Sequence, residues 1–198
     1  SIHVAGRDRM TALQLLLLNL LYDILCLALP WDQVDEEVCS KPLEWSGKTL
    51  GRFMRFFGPI SSIFDIITFA FLFFVLCPSI CGGAFASLSD GGEQARFIVL
   101  FQTGWFLESM WTQILILHLL RTQKIPLLQR RPSRPVMLVT LLGTVLFTLL
   151  TFTPMGELVG LTALPPVYFI FLAAAVFFYL LWVTLAKRWY MRRYHELL

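Results

Sequence analysis

The sequence predicts an all-α membrane protein in which five transmembrane helices form a bundle. Hydrophobic residues make up 57% of the 198 positions and the mean hydropathy is +0.71, well above the apolar share of an ordinary soluble domain. Apolar windows of about 19 residues recur along the chain, and a helix of that length crosses a hydrocarbon core of about 30 Å. The five predicted spans are Thr11–Leu29, Phe56–Leu76, Phe97–Leu120, Val136–Thr153 and Val167–Ala186.

The first predicted span contains a polar pair in an otherwise apolar helix. Asn19 and Asp23 are four residues apart, so they share one helix face. An ionised carboxylate near the middle of a span is costly unless it faces protein, water or a cation. We therefore expect this face to bind a cation. The alternative is that the two side chains only hold neighbouring helices together.

The second predicted span is expected to pack closely against a neighbouring helix. Gly58, Ser61 and Ser62 are small enough to let another backbone approach, and Pro59 is expected to disturb the first helical turn. Asp65 lies deeper in the same span. For this carboxyl group, cation binding and a structural pairing with an adjacent helix both stay open.

The third predicted span carries Glu108 and, five residues later, Gln113. A rise of ~1.5 Å per residue puts Asp23 and Glu108 roughly 18 and 17 Å from the outer ends of their spans, and Asp65 roughly 14 Å from the cytoplasmic end of its own. The three carboxyl groups are thus expected near the middle of the bilayer. Carboxylate and amide oxygens at one depth suit Mg²⁺, Ca²⁺ or Mn²⁺ better than metals that prefer thiolates. A protonated or paired structural role is the alternative.

The positions of the basic residues predict the orientation, because Lys and Arg stay preferentially on the cytoplasmic side of short loops. Most of the 16 basic residues lie in the first connection, the third connection and the C-terminal tail, which share one side of a five-span bundle. Arg7, Arg9 and Arg96 fall on the other side. The C-terminus is therefore predicted to be cytoplasmic. The net charge of +3 reflects this topology and does not support nucleic-acid binding.

Two features near span ends favour ordinary interpretations. Cys77 and Cys81 flank Pro78 at the outer end of the second span, and free thiols are favoured over a disulfide there. An acidic run begins at Asp32 and includes residues 35–37, directly after the first span. A solvated loop is favoured over a funnel that attracts cations.

Four segments, in order, resemble one known family. LLLLNLLYD, PWDQVDEE, GRFMRFFGPISSIFDIITF and FQTGWFLESMWTQILILHLLRTQKIP together resemble the C-terminal membrane region of bacterial magnesium-transporting P-type ATPases. The resemblance divides the chain into residues 1–10, which do not match the family, and residues 11–198, a cation-transporting ATPase C-terminal domain. Such pumps are expected to have ten membrane helices. The five spans resemble helices six to ten, which implies the bacterial inner (plasma) membrane and a cytoplasmic C-terminus.

The resemblance also implies ligands for the transported ion, which would be Mg²⁺. The sixth helix of the family carries an Asn-x-x-Thr/Tyr-Asp pattern, which reads NLLYD here. Asn19 and Asp23 match as oxygen ligands, and Tyr22 stands where calcium pumps carry a smaller hydroxyl. Glu108 resembles the acidic position of the eighth helix. The weaker candidate ligands are Tyr22, Asp65 and Gln113.

The resemblance finally defines what this chain is expected to do. The 198 residues lack the phosphorylation motif Asp-Lys-Thr-Gly-Thr, an ATP-binding domain and the Thr-Gly-Glu loop. We therefore expect an incomplete protein, the cation-binding and translocation part of a pump, which uses ATP only when complete. Its expected partners are the lipid bilayer and the missing N-terminal pump domains. The alternative is a non-enzymatic membrane helix bundle that associates with a pump or another membrane protein, and a passive channel is less favoured.

Overall fold

The structure is a computed structural model that describes residues 3–4, 7–8, 10–32, 47–120 and 132–194, and this part of the chain is almost entirely helical. The helices are α1 (Ala12–Ala28), α2 (Gly47–Phe71), α3 (Cys77–Cys81), α4 (Gly91–Leu120), α5 (Arg134–Leu150), α6 (Pro154–Leu158) and α7 (Pro166–Tyr194). Short 3₁₀ turns lie at Leu29–Trp31 and Phe85–Ser87, and two short strands, His3–Val4 and Arg7–Asp8, pair antiparallel.

Helix α1 begins where the sequence predicts the first span to begin. The Thr11 hydroxyl accepts a hydrogen bond of 3.2 Å from the Gln14 backbone N–H, and the Gln14 side-chain oxygen accepts one of 3.0 Å from the Thr11 N–H. This reciprocal capping box satisfies two backbone donors that a helix start otherwise leaves unpaired. One face of α1 is buried and includes Leu18, Leu21 and Leu25.

Helix α2 starts earlier than the sequence predicts, at Gly47, so Pro59 lies inside the helix and not in its first turn. The predicted packing face is only partly correct. Ser61 contacts another helix through its hydroxyl, whereas Gly58 and Ser62 are exposed. A π-helical segment, Leu72–Leu76, then connects α2 to α3 without a break.

Helix α4 is the centre of the bundle. It contacts α1, α2, α5, α7 and the π-helical segment, and every residue from 101 to 108 is buried. Because α4 is surrounded by protein along this stretch, it tolerates polar side chains that a lipid-facing helix does not.

Ring contacts show how helices α2 and α7 are oriented and how α4 meets α5. The Phe71 ring stacks on Phe171 at 3.8 Å, and further along the same two helices Phe56 stacks on Trp189 at 5.2 Å, so α2 and α7 are antiparallel. The Phe106 and Phe147 rings, 6.3 Å apart, join α4 to α5. Aromatic packing therefore joins α2 to α7 and contributes to the contact between α4 and α5.

Three of the five predicted membrane spans are supported by the structure. Within the described residues, three helical stretches are long and apolar enough to cross a membrane: Ala12–Trp31, Met54–Ser87 and Pro166–Arg193. Helix α5 is apolar but shorter, at 17 residues. Helix α4 is long enough, but Glu93, Arg96, Glu108 and several amides and hydroxyls lower its hydropathy.

Candidate cation site

The polar pair of α1 lies on the exposed face of that helix. Asn19 and Asp23 are both exposed, and Tyr22 between them is 41% exposed. The buried face of α1 packs on α4 and α5, so the three polar side chains point away from the described helices. Each carries an oxygen atom that can coordinate a cation, and the three lie on one face of a helix whose other residues in this stretch are mainly leucine.

Glu108 has the opposite environment. Its side chain is 1% exposed, and its Oε2 atom has no hydrogen-bond partner among the described residues. The Asp65 carboxyl on α2 lies close enough to interact with it electrostatically. The structure therefore brings together two of the predicted carboxyl groups, from the second and third predicted spans.

Two tyrosines of α7, which the sequence reasoning did not identify, complete the surroundings of these carboxyl groups. The Tyr179 hydroxyl lies 3.1 Å from the Ser61 hydroxyl, and Tyr179 also interacts electrostatically with Asp65 and Glu108. The fully buried Tyr168 hydroxyl donates a hydrogen bond of 2.6 Å to the Gly104 carbonyl oxygen, one turn before Glu108. A tyrosine in the middle of an apolar span, as at position 179, was the signal in the sequence for a buried polar contact.

The candidate ligands thus divide into two groups. Asn19, Tyr22 and Asp23 are on the outward face of α1, while Glu108 and Asp65 lie between α4 and α2. Gln113, also on α4, is half-buried. Among the described residues, no three His, Cys, Asp or Glu side chains come together as a metal-binding group.

The first acidic residue of the predicted run has a structural partner. The Asp32 carboxylate accepts a hydrogen bond of 2.8 Å from the backbone N–H of Ser133, which precedes the first turn of α5. An acidic acceptor at this position stabilises a helix start. Asp32 therefore joins the end of α1 to the start of α5. The remaining acidic residues of the run, at 35–37, lie outside the described residues.

The two cysteines of α3 are thiols. Cys77 and Cys81 are both buried and unbonded, at the two ends of α3, and Cys26 in α1 is a half-buried thiol. These observations agree with the interpretation of Cys77 and Cys81 as free thiols.

The long apolar helices define an α-helical membrane protein with candidate cation ligands on its helices, of which Glu108 is buried. The sequence profile described as "Cation transporting ATPase, C-terminus" matches residues 9–189. The chain belongs to this cation-transporting ATPase family.

Two magnesium-transporting ATPases match almost the whole chain. The magnesium-transporting ATPase, P-type 1, of Salmonella typhimurium is 43% identical over 187 residues, which cover 94% of this chain and 19% of the relative. The protein of the same name from Escherichia coli is 40% identical over 185 residues, with 93% and 19% covered. The chain therefore spans about a fifth of the length of the curated relatives it matches.

Proposed function

We propose that this chain is the cation-binding and translocation part of a magnesium-transporting P-type ATPase. The observation that carries the proposal is the exposed Asn19 and Asp23 pair near the middle of an apolar helix, in a chain 43% identical to a magnesium-transporting ATPase. A carboxylate and an amide at membrane depth are expensive to expose to lipid. This face of α1 therefore suits contact with a cation and with further helices of the pump.

Mg²⁺ matches the donor chemistry of the exposed pair. It prefers hard oxygen ligands and sheds its water reluctantly, so it is bound through one or two carboxylates together with retained water. In the proposed site Asp23 supplies the charge and Asn19 an amide oxygen, with Tyr22 beside them. The N-terminal domains of the complete pump would cover this face and use ATP to change access to it.

Buried Glu108 and half-buried Asp65 form a second acidic position in the proposal. Glu108 and Asp65 interact across the interface between α4 and α2, and the unpartnered Oε2 atom of Glu108 is free to accept from water or to bind a cation. We assign Glu108 to the cation path as a ligand, with Asp65 and Gln113 as supporting groups.

The same proposal includes five membrane crossings and a cytoplasmic C-terminus in the inner (plasma) membrane. Three crossings rest on length and apolar composition. The fourth is α4, whose polar side chains are shielded by the helices around it, and the fifth is α5. The antiparallel pairing of α2 with α7 and the exposed basic residues near the end of α7, Arg188, Arg192 and Arg193, support this orientation.

The function is tested with a chimera in which this chain replaces the matching C-terminal region of the Salmonella relative. We expect the chimera to restore Mg²⁺ uptake to cells that lack their own transporters, and its purified form to hydrolyse ATP in response to Mg²⁺. Asp23→Asn is expected to abolish that stimulation while expression stays nearly normal.

The matched control is Leu16→Ala, which alters an exposed α1 residue without removing an oxygen ligand. It is expected to leave Mg²⁺ stimulation unchanged. Full stimulation in Asp23→Asn contradicts the site, and a well-expressed chimera that transports nothing contradicts the function. A reporter fused after Leu198 tests the orientation in spheroplasts, from which the outer membrane barrier has been removed, because only a cytoplasmic C-terminus then protects it from added protease.

A further inference from the structure

Tyr168 makes a buried contact with the helical turn that carries Glu108. Its side chain is 0% exposed, and its hydroxyl donates a hydrogen bond of 2.6 Å to the Gly104 carbonyl oxygen. In an α-helix this carbonyl also accepts the N–H of the residue four positions later, which is Glu108. The tyrosine hydroxyl therefore shares an acceptor with the backbone of the candidate ligand.

The hydroxyl of Tyr168 also lies close to Glu108 itself. It interacts electrostatically with the Glu108 carboxyl group, in addition to its hydrogen bond to the Gly104 carbonyl. A bond of this kind, fully shielded from water, is stronger than a solvent-exposed one and limits rotation of the turn. Tyr168 thus holds the backbone turn from which the Glu108 side chain leaves α4.

Gly104 makes this close approach possible. A Cβ atom at this position would lie 2.6 Å from Leu72 Cδ2 and 3.3 Å from Tyr168 Cε2, so only glycine admits both side chains. Leu72 begins the π-helical segment and lies seven residues, about two helical turns, beyond Asp65. The same turn of α4 is therefore held by α7 on one side and by the helix of Asp65 on the other.

We propose that Tyr168 is a positioning residue that directs the Glu108 carboxyl towards Asp65 and so sets the affinity of the pump for its cation. The inference rests on the proposed function, because it takes Glu108 to be a cation ligand. Groups that orient a metal ligand without touching the metal typically change the affinity for the metal when they are replaced.

The test is Tyr168→Phe in the chimeric pump, which removes one hydroxyl and keeps the ring. We expect the Mg²⁺ concentration for half-maximal ATP hydrolysis to rise about three- to tenfold, with a nearly unchanged maximal rate and only the small fall in unfolding temperature that loss of one buried hydrogen bond causes. The matched control is Thr103→Val. It removes a buried hydroxyl that accepts from the Thr162 N–H at 3.0 Å, in the same part of α4 but outside the Gly104–Glu108 turn.

A double-variant cycle separates this inference from the function on which it rests. If Glu108→Gln leaves the Mg²⁺ dependence unchanged, the ligand role of Glu108 is wrong. If Glu108→Gln weakens Mg²⁺ activation and Tyr168→Phe has no further effect in that background, the positioning role is supported. Additive effects of the two variants, or an equal shift in Thr103→Val, overturn it, because either result indicates a general loosening of the bundle.

Discussion

The side-chain amide of Gln14 donates a hydrogen bond of 2.9 Å to the carbonyl oxygen of Gly160, which ties the start of α1 to the loop before α7. The far end of α1 is held in the same way, through the bond from Ser133 N–H to Asp32. Asn19 and Asp23 lie between these two attachments. The depth of the polar pair relative to α5 and α7 is therefore set at both ends of the helix, by contacts that involve neither residue.

Replacing Gln14 is expected to loosen the attachment at the start of α1. Gln14→Leu keeps the volume but removes the bonds to Thr11 and Gly160, so the free energy of unfolding should fall by about 1–3 kcal/mol. Unfolding of the purified chain in mixed micelles of increasing SDS content measures the change. Leu13→Ala, at a 45% exposed neighbouring position, is the control and should have little effect. An equal effect of the two variants contradicts the role of the amide.

Replacing Asp32 is expected to expose the start of α5. Asp32→Ala removes the acceptor for the Ser133 N–H, and a lost helix cap typically costs about 1 kcal/mol. Amide hydrogen exchange at Ser133 should then become faster, while exchange in the middle of α5 stays unchanged. Asp32→Asn keeps an oxygen acceptor and should retain most of the protection. Equal exchange rates in all three proteins would show that the cap contributes nothing.

Two glycines should respond in opposite ways to the same substitution. Gly104→Ala places a methyl group against Leu72 and should destabilise the fold by about 1–3 kcal/mol. In Gly58→Ala the added methyl group has no atom within 4 Å, in an exposed part of α2. This substitution should therefore be neutral or stabilise the fold by up to about 1 kcal/mol. Unfolding in SDS compares the free energies of unfolding of both variants with that of the wild type. A Gly104→Ala protein as stable as the wild type would refute the close packing.

The contact between Ser61 and Tyr179 should appear as an energetic coupling. Ser61→Ala and Tyr179→Phe each break the same 3.1 Å hydrogen bond, so the double variant should lose less stability than the sum of the single ones. A coupling of about 0.5–1.5 kcal/mol is expected from a four-protein cycle of unfolding free energies. Strict additivity would mean that the two hydroxyls do not interact.

Much of the helical organisation could be predicted because it depends on local sequence. The predicted start at Thr11 agrees with the capping box, and the apolar windows at α1, α2 and α7 are confirmed as helices long and apolar enough to span a membrane. The earlier start of α2 could not be predicted from hydropathy, since its first three turns contain Lys48, Arg52 and Arg55. A polar segment can be helical, but an apolar window detects only the hydrophobic part of a helix. The basic first turns of α2 therefore fall outside the predicted span.

The surroundings of the candidate ligands could be predicted only in part. The sequence identifies Asn19 and Asp23 as one helical face, because residues four apart always share a face. It could not decide that this face is exposed while Glu108 is buried. Depth calculations place side chains along the bilayer normal, but the rotation of each helix about its own axis depends on its neighbours.

By itself, the sequence determined that the chain is helical, suited to a membrane, and marked by a few costly polar side chains, because these properties follow from hydropathy and the helical repeat. Only the tertiary structure decided which of these side chains meet. The Tyr168 hydroxyl and the Gly104 carbonyl are 64 positions apart in sequence, and Gln14 and Gly160 are 146 positions apart. Such pairs form when helix packing sets rotation and register together, and no local pattern encodes that arrangement.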